Sequence, residues 1–581
     1  MKKKTFFLKT KKILPVILIL LLGAYCSKGL FTYHFFSTHD GDHHLARSYD
    51  AVKTLSEGHF PLRWAGSLNY FCGIPIFNFF YPLFYYLIFL INLLVGDIIF
   101  SLKIVYVLSF TLAPLFFYLW LKRETKNTIA SLSGAILYLF VPYRFLLVFV
   151  RSSPEFMAYT VLPVFLYLLS IFFEKVKKKE RNAAYLFGFL TSLSGAALIT
   201  AHQLIAFLLF PIIFLWFVIK TWQAKVYKQK VNFLWLIFLT AASIVGLSAF
   251  FWGPVFLEKG EVKIGELEII SYWQHFPSLK QLIHSPWGYF YSAPGIENDG
   301  MSFSLGYAQW AVLGLSGIWL VIKAVKTGLL KTVRENFGVL FFFLISVLAL
   351  FLMLEQSRFI WELFVSLQEV QFPWRFLGVT SFTVAALGGF WLTQIGNKKI
   401  AYALAILISF LAIYGNRNHL LPQPLAEPER YEDFERLHPH RYSTTTLGDD
   451  ILNREAKKAC YFDDPFLLVN KEKIENKLNR GNTFGEVYFK WPQQETDVAI
   501  NLNLEYFPGI YKIKINGEEI KKISNFSGRI ALEEVNLKEG ENAISWQIVQ
   551  SPIERFFNGV SLGFLVFWLI LIPIYEIKRK T

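Results

Sequence analysis

The chain has 581 residues, of which 54% are hydrophobic and 18% are aromatic, and its formal net charge at pH 7 is +15. A soluble protein could not bury so much apolar surface, so most of the chain is expected to face lipid or to lie inside a helix bundle. The positive charge lies in short loops between apolar segments, which indicates positive-inside membrane topology rather than binding to nucleic acid.

The first apolar segment, residues 13–30, is long enough to cross a bilayer and follows a lysine-rich start that should stay in the cytosol. It lacks a small-residue cleavage site, so it is interpreted as a retained signal anchor. Twelve further apolar segments follow it, at residues 76–95, 98–121, 129–149, 157–173, 183–200, 203–219, 233–253, 306–322, 337–354, 374–394, 400–415 and 556–575.

If every segment crossed the membrane, the basic groups at 122–126 and 175–181 would lie outside the cell. Segment 76–95 is the best candidate for one that does not cross, because its proline, asparagines and tyrosine cluster are typical of a helix lying in the membrane interface. Removing it leaves twelve transmembrane helices, a first outer loop at 31–97 and both termini in the cytosol. The sequence therefore predicts a polytopic α-helical membrane protein.

Residues 416–555 differ in character, with charge runs, Asn/Gly turns and alternating apolar residues. The alternation, with the hairpin turn Asn516-Gly517, predicts a small extracytoplasmic β-sandwich that is β-rich from about residue 484, after a linker or cap at 416–480. The expected division is a membrane module at 1–415, this domain at 416–555, and a last transmembrane helix with a basic cytosolic tail at 556–581. The three cysteines, Cys26, Cys72 and Cys460, give no disulfide framework.

The segment Thr38–Arg47, just after the first span, is unusually rich in ionisable side chains. If a helix begins after Asp40, then Asp40, His43, His44 and Arg47 share one face, while Asp42 points elsewhere. Such a cluster can deprotonate a hydroxyl, hold a divalent metal or bind a phosphate. The alternative is that Asp40 only caps the helix, and the spacing matches no established zinc pattern.

Further ionisable residues stand at the outer ends of later spans. Arg144, Arg151 and Glu155 flank one short outer turn, and they form either a functional site or a structural Arg–Glu pair. His202 lies at another such turn, where a lone histidine is more often an interfacial helix end. Arg375 follows Trp374 and is either a phosphate ligand or a snorkelling anchor in an aromatic belt. No Walker pattern, dinucleotide fingerprint or Gly-x-Ser-x-Gly motif is present in the sequence.

One transmembrane helix, a long outer loop that opens with acidic residues, and a many-spanning bundle resemble the GT-C superfamily of membrane glycosyltransferases. A more specific resemblance is carried by the motifs His39–Arg47, Gly58–Trp64, Phe80–Tyr85, Pro142–Glu155, Ala201-His202, Gln371–Arg375, Tyr506–Gly509, Ile515–Gly517 and Ser551–Arg555. In these motifs the chain is similar to the bacterial membrane family labelled "6-pyruvoyl-tetrahydropterin synthase-related", whose label is misleading for integral membrane proteins, and to its YfhO-like relatives.

The resemblance implies transfer of a sugar from a polyprenyl-phosphate carrier, not from a nucleotide sugar, to an acceptor outside the cytosol. It implies that Asp40 is the base, with Asp42 as the second candidate. It leaves open whether a divalent cation (Mg or Mn) takes part. His43 and His44 would orient the acceptor or help to hold that metal. Residues expected to bind substrate are Arg47, Arg144, Arg151, Glu155, His202 and Arg375, with Arg375 and either Arg144 or Arg151 on the lipid phosphate. The alternative is a non-catalytic binder, scaffold or flippase for lipid-linked saccharide or cell-wall polymer.

Overall fold

The computed structural model describes residues 2–223, 232–264, 271–424, 452–456, 460 and 464–577. Most of the expected linker at 416–480 and the basic tail at 578–581 lie outside the described residues. Helices dominate the part of the chain before residue 417. Their bounds are α1 Lys2–Ser27, α2 Gly41–Ser56, α3 Ile76–Phe79, α4 Leu83–Val95, α5 Ile98–Thr125, α6 Thr128–Leu139, α7 Pro142–Phe145, α8 Glu155–Lys178, α9 Arg181–Ala201, α10 Gln203–Gln223, α11 Asn232–Leu247, α12 Ala249–Glu258, α13 Leu279–Ile283, α14 Tyr307–Thr327, α15 Leu329–Glu335, α16 Phe337–Leu352, α17 Arg358–Leu363, α18 Phe376–Leu392, α19 Lys398–Asn416 and α20 Pro552–Ile577.

Among the described residues, nine helices are long and apolar enough to cross a membrane, and the number is twelve when each of three bent pairs is one span. The bent pairs are α6 with α7 and the π-helical turn Leu146–Val150, α11 with α12, and α15 with α16. The twelve spans agree with the predicted polytopic helical architecture. A break at Pro142 suits the first pair, because proline lacks the N–H that would continue the helix.

The segment predicted not to cross forms two short helices, α3 and α4. Helix α4 has 13 residues, or about 20 Å of helix, which is short of the roughly 30 Å of bilayer hydrocarbon. Gly96 ends it in the left-handed conformation, and the Asp97 carboxylate then accepts a hydrogen bond from the Phe100 N–H at the start of α5. These two residues reverse the chain direction within one turn.

The C-terminal part of the chain contains a β-domain of two five-stranded antiparallel sheets. The strands are β1 Leu467–Val469, β2 Glu472–Lys473, β3 Asn476–Arg480, β4 Phe484–Trp491, β5 Glu495–Glu505, β6 Tyr511–Ile515, β7 Glu518–Ile520, β8 Ile523–Phe526, β9 Arg529–Leu537 and β10 Gly540–Ile548. The strand orders are β2-β1-β5-β9-β8 and β3-β4-β10-β6-β7. Apolar residues of the two inner faces, such as Ile500 and Ile544, form one core.

The predicted hairpin turn is present between β6 and β7, where Ile515 pairs with Glu518. Asn516 and Gly517 both have positive φ angles, as a type I′ turn requires. Strands begin at Leu467, however, and not at about residue 484. The earlier strands gave no signal because β1 and β2 are very short and β3 is almost entirely exposed and polar.

The three cysteines showed no disulfide framework in the sequence, but Cys72 and Cys460 form a disulfide across 388 residues. Cys26 is free and buried in α1. The odd number and wide spacing of the cysteines concealed the pairing, which results from packing of the β-domain on the loop after α2. Trp64 of that loop contacts the Tyr511 ring of the β-domain edge to face.

The end of the bundle on which the β-domain packs is called the β-domain end here. The opposite end carries basic residues and ion pairs between helices, including Lys220 with Glu124 and Arg123 with Glu174. This distribution of charge follows the positive-inside pattern found in the sequence.

Candidate functional site

Helix α2 begins immediately after Asp40, as the sequence predicted. The Asp40 carboxylate makes no capping hydrogen bond, and the Thr38 hydroxyl accepts the Gly41 N–H instead, at 3.0 Å. The backbone N–H of Asp40 donates to the Arg151 carbonyl at 3.0 Å. The Asp40 carboxylate therefore does not cap the helix, and it lies 3.8 Å from the Arg151 guanidinium.

A cavity of about 440 Å³ opens beside this carboxylate at the β-domain end of the bundle, within the ~300–1,000 Å³ typical of small-molecule sites. Six separate segments of the chain contribute to its wall. The lining residues are His39, Asp40, His43, His44, Arg47, Phe80, Tyr81, Arg151, Ser153, His202, Tyr291, Ser292, Met301, Gln371, Phe372, Trp374 and Arg375. Seven of the ten residues predicted for the site thus meet at one place.

Glu155, an eighth predicted residue, lies behind the wall and is fully buried. Its carboxylate accepts hydrogen bonds from Arg151 at 2.8 Å and from Arg375 at 3.1 Å, and from the Tyr143 hydroxyl at 3.0 Å. Arg375 also donates to the Val370 carbonyl at 2.6 Å. Glu155 therefore orients both arginines, and Arg375 also donates to the Gln371 side-chain oxygen at 3.1 Å.

The surroundings of Arg47 differ from those of Arg151 and Arg375. Its side chain is 2% exposed and lies over the Phe80 ring at 4.5 Å, beside the Tyr85 hydroxyl. Its Nε and Nη2 atoms have no hydrogen-bond partner in the described part of the chain. Because buried N–H groups without acceptors cost free energy, these two donor atoms point to an anionic ligand in the cavity.

The histidines are held by aromatic residues. His44 Nδ1 lies 2.8 Å from the Tyr85 hydroxyl, and the His202 ring stacks on Tyr81 with 4.3 Å between centroids. The His39 ring packs on Tyr291 at the same separation. Burial lowers the pKa of His44, and burial together with Arg151 lowers that of His39 to about 4, so both are neutral at pH 7.

Whereas the pKa values of His39 and His44 are lowered, the pKa of the Asp40 carboxyl is raised. Burial raises its pKa above the ordinary value, while Arg151 and Arg47 oppose the shift. A carboxylate whose pKa is raised towards the working pH is a better proton acceptor than an exposed aspartate. The site thus combines a candidate base with a cationic wall.

Two predicted residues are not brought into the cavity. Asp42 is half-buried on α2 but does not line the cavity, in agreement with its expected direction. Arg144 donates to the backbone carbonyl and the hydroxyl of Ser109, each at 3.1 Å, and lies over the Tyr138 ring. It was expected to bind phosphate, but α7 packs it against α5 rather than towards Asp40.

Several residues of the wall were missed as site residues. Tyr81 belongs to the segment interpreted only as an interfacial helix, and its aromatic motif was the available signal. Tyr85 of the same segment does not line the cavity but lies 2.8 Å from His44 Nδ1. Tyr291 and Met301 come from the long loop before α14, and no pattern marked them. Trp374 was considered only as the neighbour of Arg375, with a belt anchor as one alternative; it is 2% exposed and the Arg151 guanidinium lies 4.8 Å from its ring centre.

A divalent cation was left open by the sequence, and the residues of this cavity do not fit one. Mg²⁺ and Mn²⁺ prefer several oxygen ligands, but Asp40 is the one carboxylate among the lining residues and it faces Arg151. No group of three or more His, Cys, Asp or Glu side chains in the described ranges is arranged to hold a metal.

The bundle of spans, the β-domain and the buried polar cavity define a multi-pass membrane protein. The chain belongs to the 6-pyruvoyl-tetrahydropterin synthase related family, described as a membrane protein domain, whose family model matches residues 77–418. That range includes Arg151, His202 and Arg375 of the cavity, whereas α2 lies before it. The predicted family is thereby confirmed. No curated protein matches the chain.

Proposed function

We propose that this protein is a membrane glycosyltransferase that moves a sugar from a polyprenyl-phosphate donor to an acceptor on the extracytoplasmic side of a bacterial plasma membrane. The observation that carries the proposal is one cavity that holds the Asp40 carboxylate and the buried, partly unpartnered Arg47 guanidinium. The first suits removal of a proton from an acceptor hydroxyl. The second suits the charge of a phosphate leaving group.

In the proposed reaction, the acceptor hydroxyl attacks the anomeric carbon while Asp40 takes its proton. The bond between the anomeric carbon and the phosphate oxygen breaks, and the lipid phosphate leaves with the electron pair. The configuration at the anomeric carbon is inverted because a single displacement occurs. His43 and His44, on the Asp40 face of α2, orient the acceptor.

Arg47 is the main phosphate ligand in this proposal, which revises the pairing of Arg375 with Arg144 or Arg151 inferred from the sequence. Arg151 and Arg375 each donate a hydrogen bond to Glu155, whereas Nε and Nη2 of Arg47 lack partners within the described ranges. Three guanidinium groups face two carboxylates, Asp40 and Glu155, so the site has an excess of positive charge. A phosphate monoanion or diester would balance it.

An apolar groove of about 210 Å³ supports a lipid-linked donor. It lies next to the cavity, since Phe376 lines the groove and follows Arg375 of the cavity wall. Helices α10, α16 and α18 provide most of its side chains, including Phe207, Ile345 and Val379. A prenyl chain in this groove would place its phosphate near the arginines.

The disulfide between Cys72 and Cys460 supports the extracytoplasmic placement of the β-domain end. Disulfides form and persist in oxidising compartments and are rare in the cytosol of mesophilic cells. The basic residues of the opposite end favour the cytosol. Both observations support a cavity on the outer side, where lipid-linked sugars are accessible and nucleotide sugars are not normally supplied.

The test uses the full chain in nanodiscs with a panel of polyprenyl-phosphate hexoses and pentoses, with nucleotide sugars as the comparison. Transfer is expected from lipid-linked sugar and not from nucleotide sugar alone. Efficient transfer from a nucleotide sugar in carrier-free detergent would contradict both the donor and the location of the site. Tight binding of the lipid-linked sugar with no transfer to any acceptor in the panel would favour the binder or flippase instead.

A further inference from the structure

The last turn of α2 and the β-domain are joined by a dense set of hydrogen bonds. Glu57, directly after α2, accepts the backbone N–H groups of Asn482 and Thr483, both at 2.8 Å. It also accepts the Thr483 hydroxyl at 2.7 Å. One carboxylate thus binds the whole turn between β3 and β4.

Asn482 continues this contact into the body of α2. Its side-chain amide donates to Asp50 Oδ1 at 2.8 Å and to the Thr54 hydroxyl at 3.1 Å, and its oxygen accepts from Ser67 at 2.9 Å. The four side chains are buried. Gly66 allows this close approach, because a Cβ atom there would overlap the backbone of Asn482.

The loop that follows α2 is held in the same way. Asn69, Tyr70 and Phe71 have consecutive positive φ angles of 56°, 51° and 66°, which non-glycine residues adopt only when the surroundings enforce them. The β-domain supplies those surroundings. Asn69 donates to Glu505 at 3.1 Å and accepts the Cys460 N–H at 2.9 Å, and Cys72 forms the disulfide.

Helix α2 has 16 residues and no proline, so its two ends move together. Its first turn carries the Asp40 face and is joined to Arg151, while its last turn is joined to the β-domain. We infer that the β-domain sets the orientation of α2 through Glu57 and Asn482, which are positioning residues for Asp40 and Arg47. This role rests on the proposed function, since it is defined by the reaction at Asp40.

The test compares Glu57→Gln and Asn482→Ala with Glu518→Gln, an equivalent change at an exposed glutamate on β7 of the same sheet. Hydrogen exchange of the full chain in nanodiscs is measured at the backbone amides of residues 44–47. These amides lie in the first half of α2, roughly 15 Å along the helix from Glu57. Turnover and its pH profile are measured on the same samples.

Exchange at 44–47 is expected to rise about tenfold in Glu57→Gln and Asn482→Ala, because loss of the contact at one end releases the helix. Turnover per folded molecule is expected to fall by about tenfold to a hundredfold, since small displacements of reacting groups have effects of this size. The acid limb of the pH profile should move to higher pH as Asp40 separates from Arg151. Glu518→Gln should match the wild type in all three measurements.

A merely structural contact would raise exchange near residues 54–67 and in the β-domain and leave 44–47, the pH profile and turnover per folded molecule unchanged. That result in both variants would overturn the positioning role. If the wild type shows no transfer at all, the proposed function fails. Exchange at 44–47 then still decides whether the β-domain orients α2.

Discussion

Arg47 is buried with two nitrogen atoms that lack hydrogen-bond partners in the described residues, beside a cavity large enough for a small molecule. A fold does not gain stability from such an arrangement, because desolvation of the guanidinium is poorly compensated. An anionic ligand in the cavity would supply the missing hydrogen-bond acceptors. A substitution of Arg47 should therefore weaken ligand binding without destabilising the ligand-free protein.

Arg47→Met is expected to raise the melting temperature of the ligand-free protein and to weaken binding of a polyprenyl phosphate. Hydrogen bonds to charged groups contribute about 1.5–3 kcal/mol, so affinity should fall by roughly tenfold to a hundredfold. Thermal unfolding and binding are measured in the same nanodiscs. Arg144→Met is the control, since Arg144 is bonded to Ser109 away from the cavity. Unchanged affinity in Arg47→Met would exclude Arg47 as the phosphate ligand.

Asp40→Asn is expected to leave the fold and donor binding close to the wild type, because asparagine has nearly the same shape and the Thr38 hydroxyl provides the helix cap. Transfer should fall by about 10²–10⁴-fold, the usual contribution of a general base. Single-turnover measurements with saturating donor isolate this step. Full turnover by the variant would remove Asp40 from the reaction.

The pH dependence follows from the surroundings of Asp40. Burial raises its pKa above the ordinary value, and the Arg151 charge offsets only part of that rise. Loss of that charge in Arg151→Met should raise the pKa further, so the acid limb of kcat/KM moves to higher pH and activity at low pH is lost first. Arg151→Lys keeps the charge and should shift the limb less. Equal profiles for the two variants would show that Arg151 does not act on Asp40 through its charge.

At the scale of elements, the alternation of apolar and basic segments predicted twelve spans, and the described residues contain up to twelve helices or bent pairs of sufficient length. Segment 76–95, predicted not to cross, forms helices of 4 and 13 residues. Periodicity also predicted the face shared by Asp40, His43, His44 and Arg47, because positions i, i+3, i+4 and i+7 lie on one side of an α-helix. The strand β3 was not predictable, since its exposed polar residues show no alternation. Arg144 was misplaced because the direction of a side chain near a helix break depends on the packing of that break.

The predicted membrane topology can be tested with fusion proteins. A fluorescent protein fused after Asn127, at the start of α6, is expected to fold and fluoresce in the cytosol, because α4 is too short to cross and α5 therefore ends inside. A fusion after Glu297, in the loop before α14, is the matched comparison and should not fluoresce if exported unfolded. Fluorescence of the second fusion alone would reverse the assignment of the two ends of the bundle.

At the scale of the molecule, the cavity is assembled from segments that are more than 300 residues apart, such as Asp40 and Trp374. No single segment contains a complete site, so the sequence could supply candidate residues but not the partner of each one. Glu155 shows the limit most clearly. Its link to Arg375 spans 220 residues and results only from packing of α8 beside the start of α18.

The same long-range packing brings Cys72 to Cys460, and their disulfide gives a direct test of how the molecule is placed in the membrane. If the β-domain end faces an oxidising compartment, the two cysteines are oxidised in cells and Cys26 alone is a free thiol. Protein denatured without reductant and treated with a maleimide polymer should then gain one polymer chain, and three after reduction.

Cys72→Ser is the control for that experiment and should gain two chains without reductant, since Cys460 is then free. It should also loosen the left-handed loop at Asn69–Phe71, which would increase proteolysis of the β-domain relative to Cys26→Ser. Three chains on unreduced wild-type protein would mean that the pair is reduced in cells. The β-domain end, and with it the cavity around Asp40, would then lie in the cytosol and have no access to extracytoplasmic acceptors.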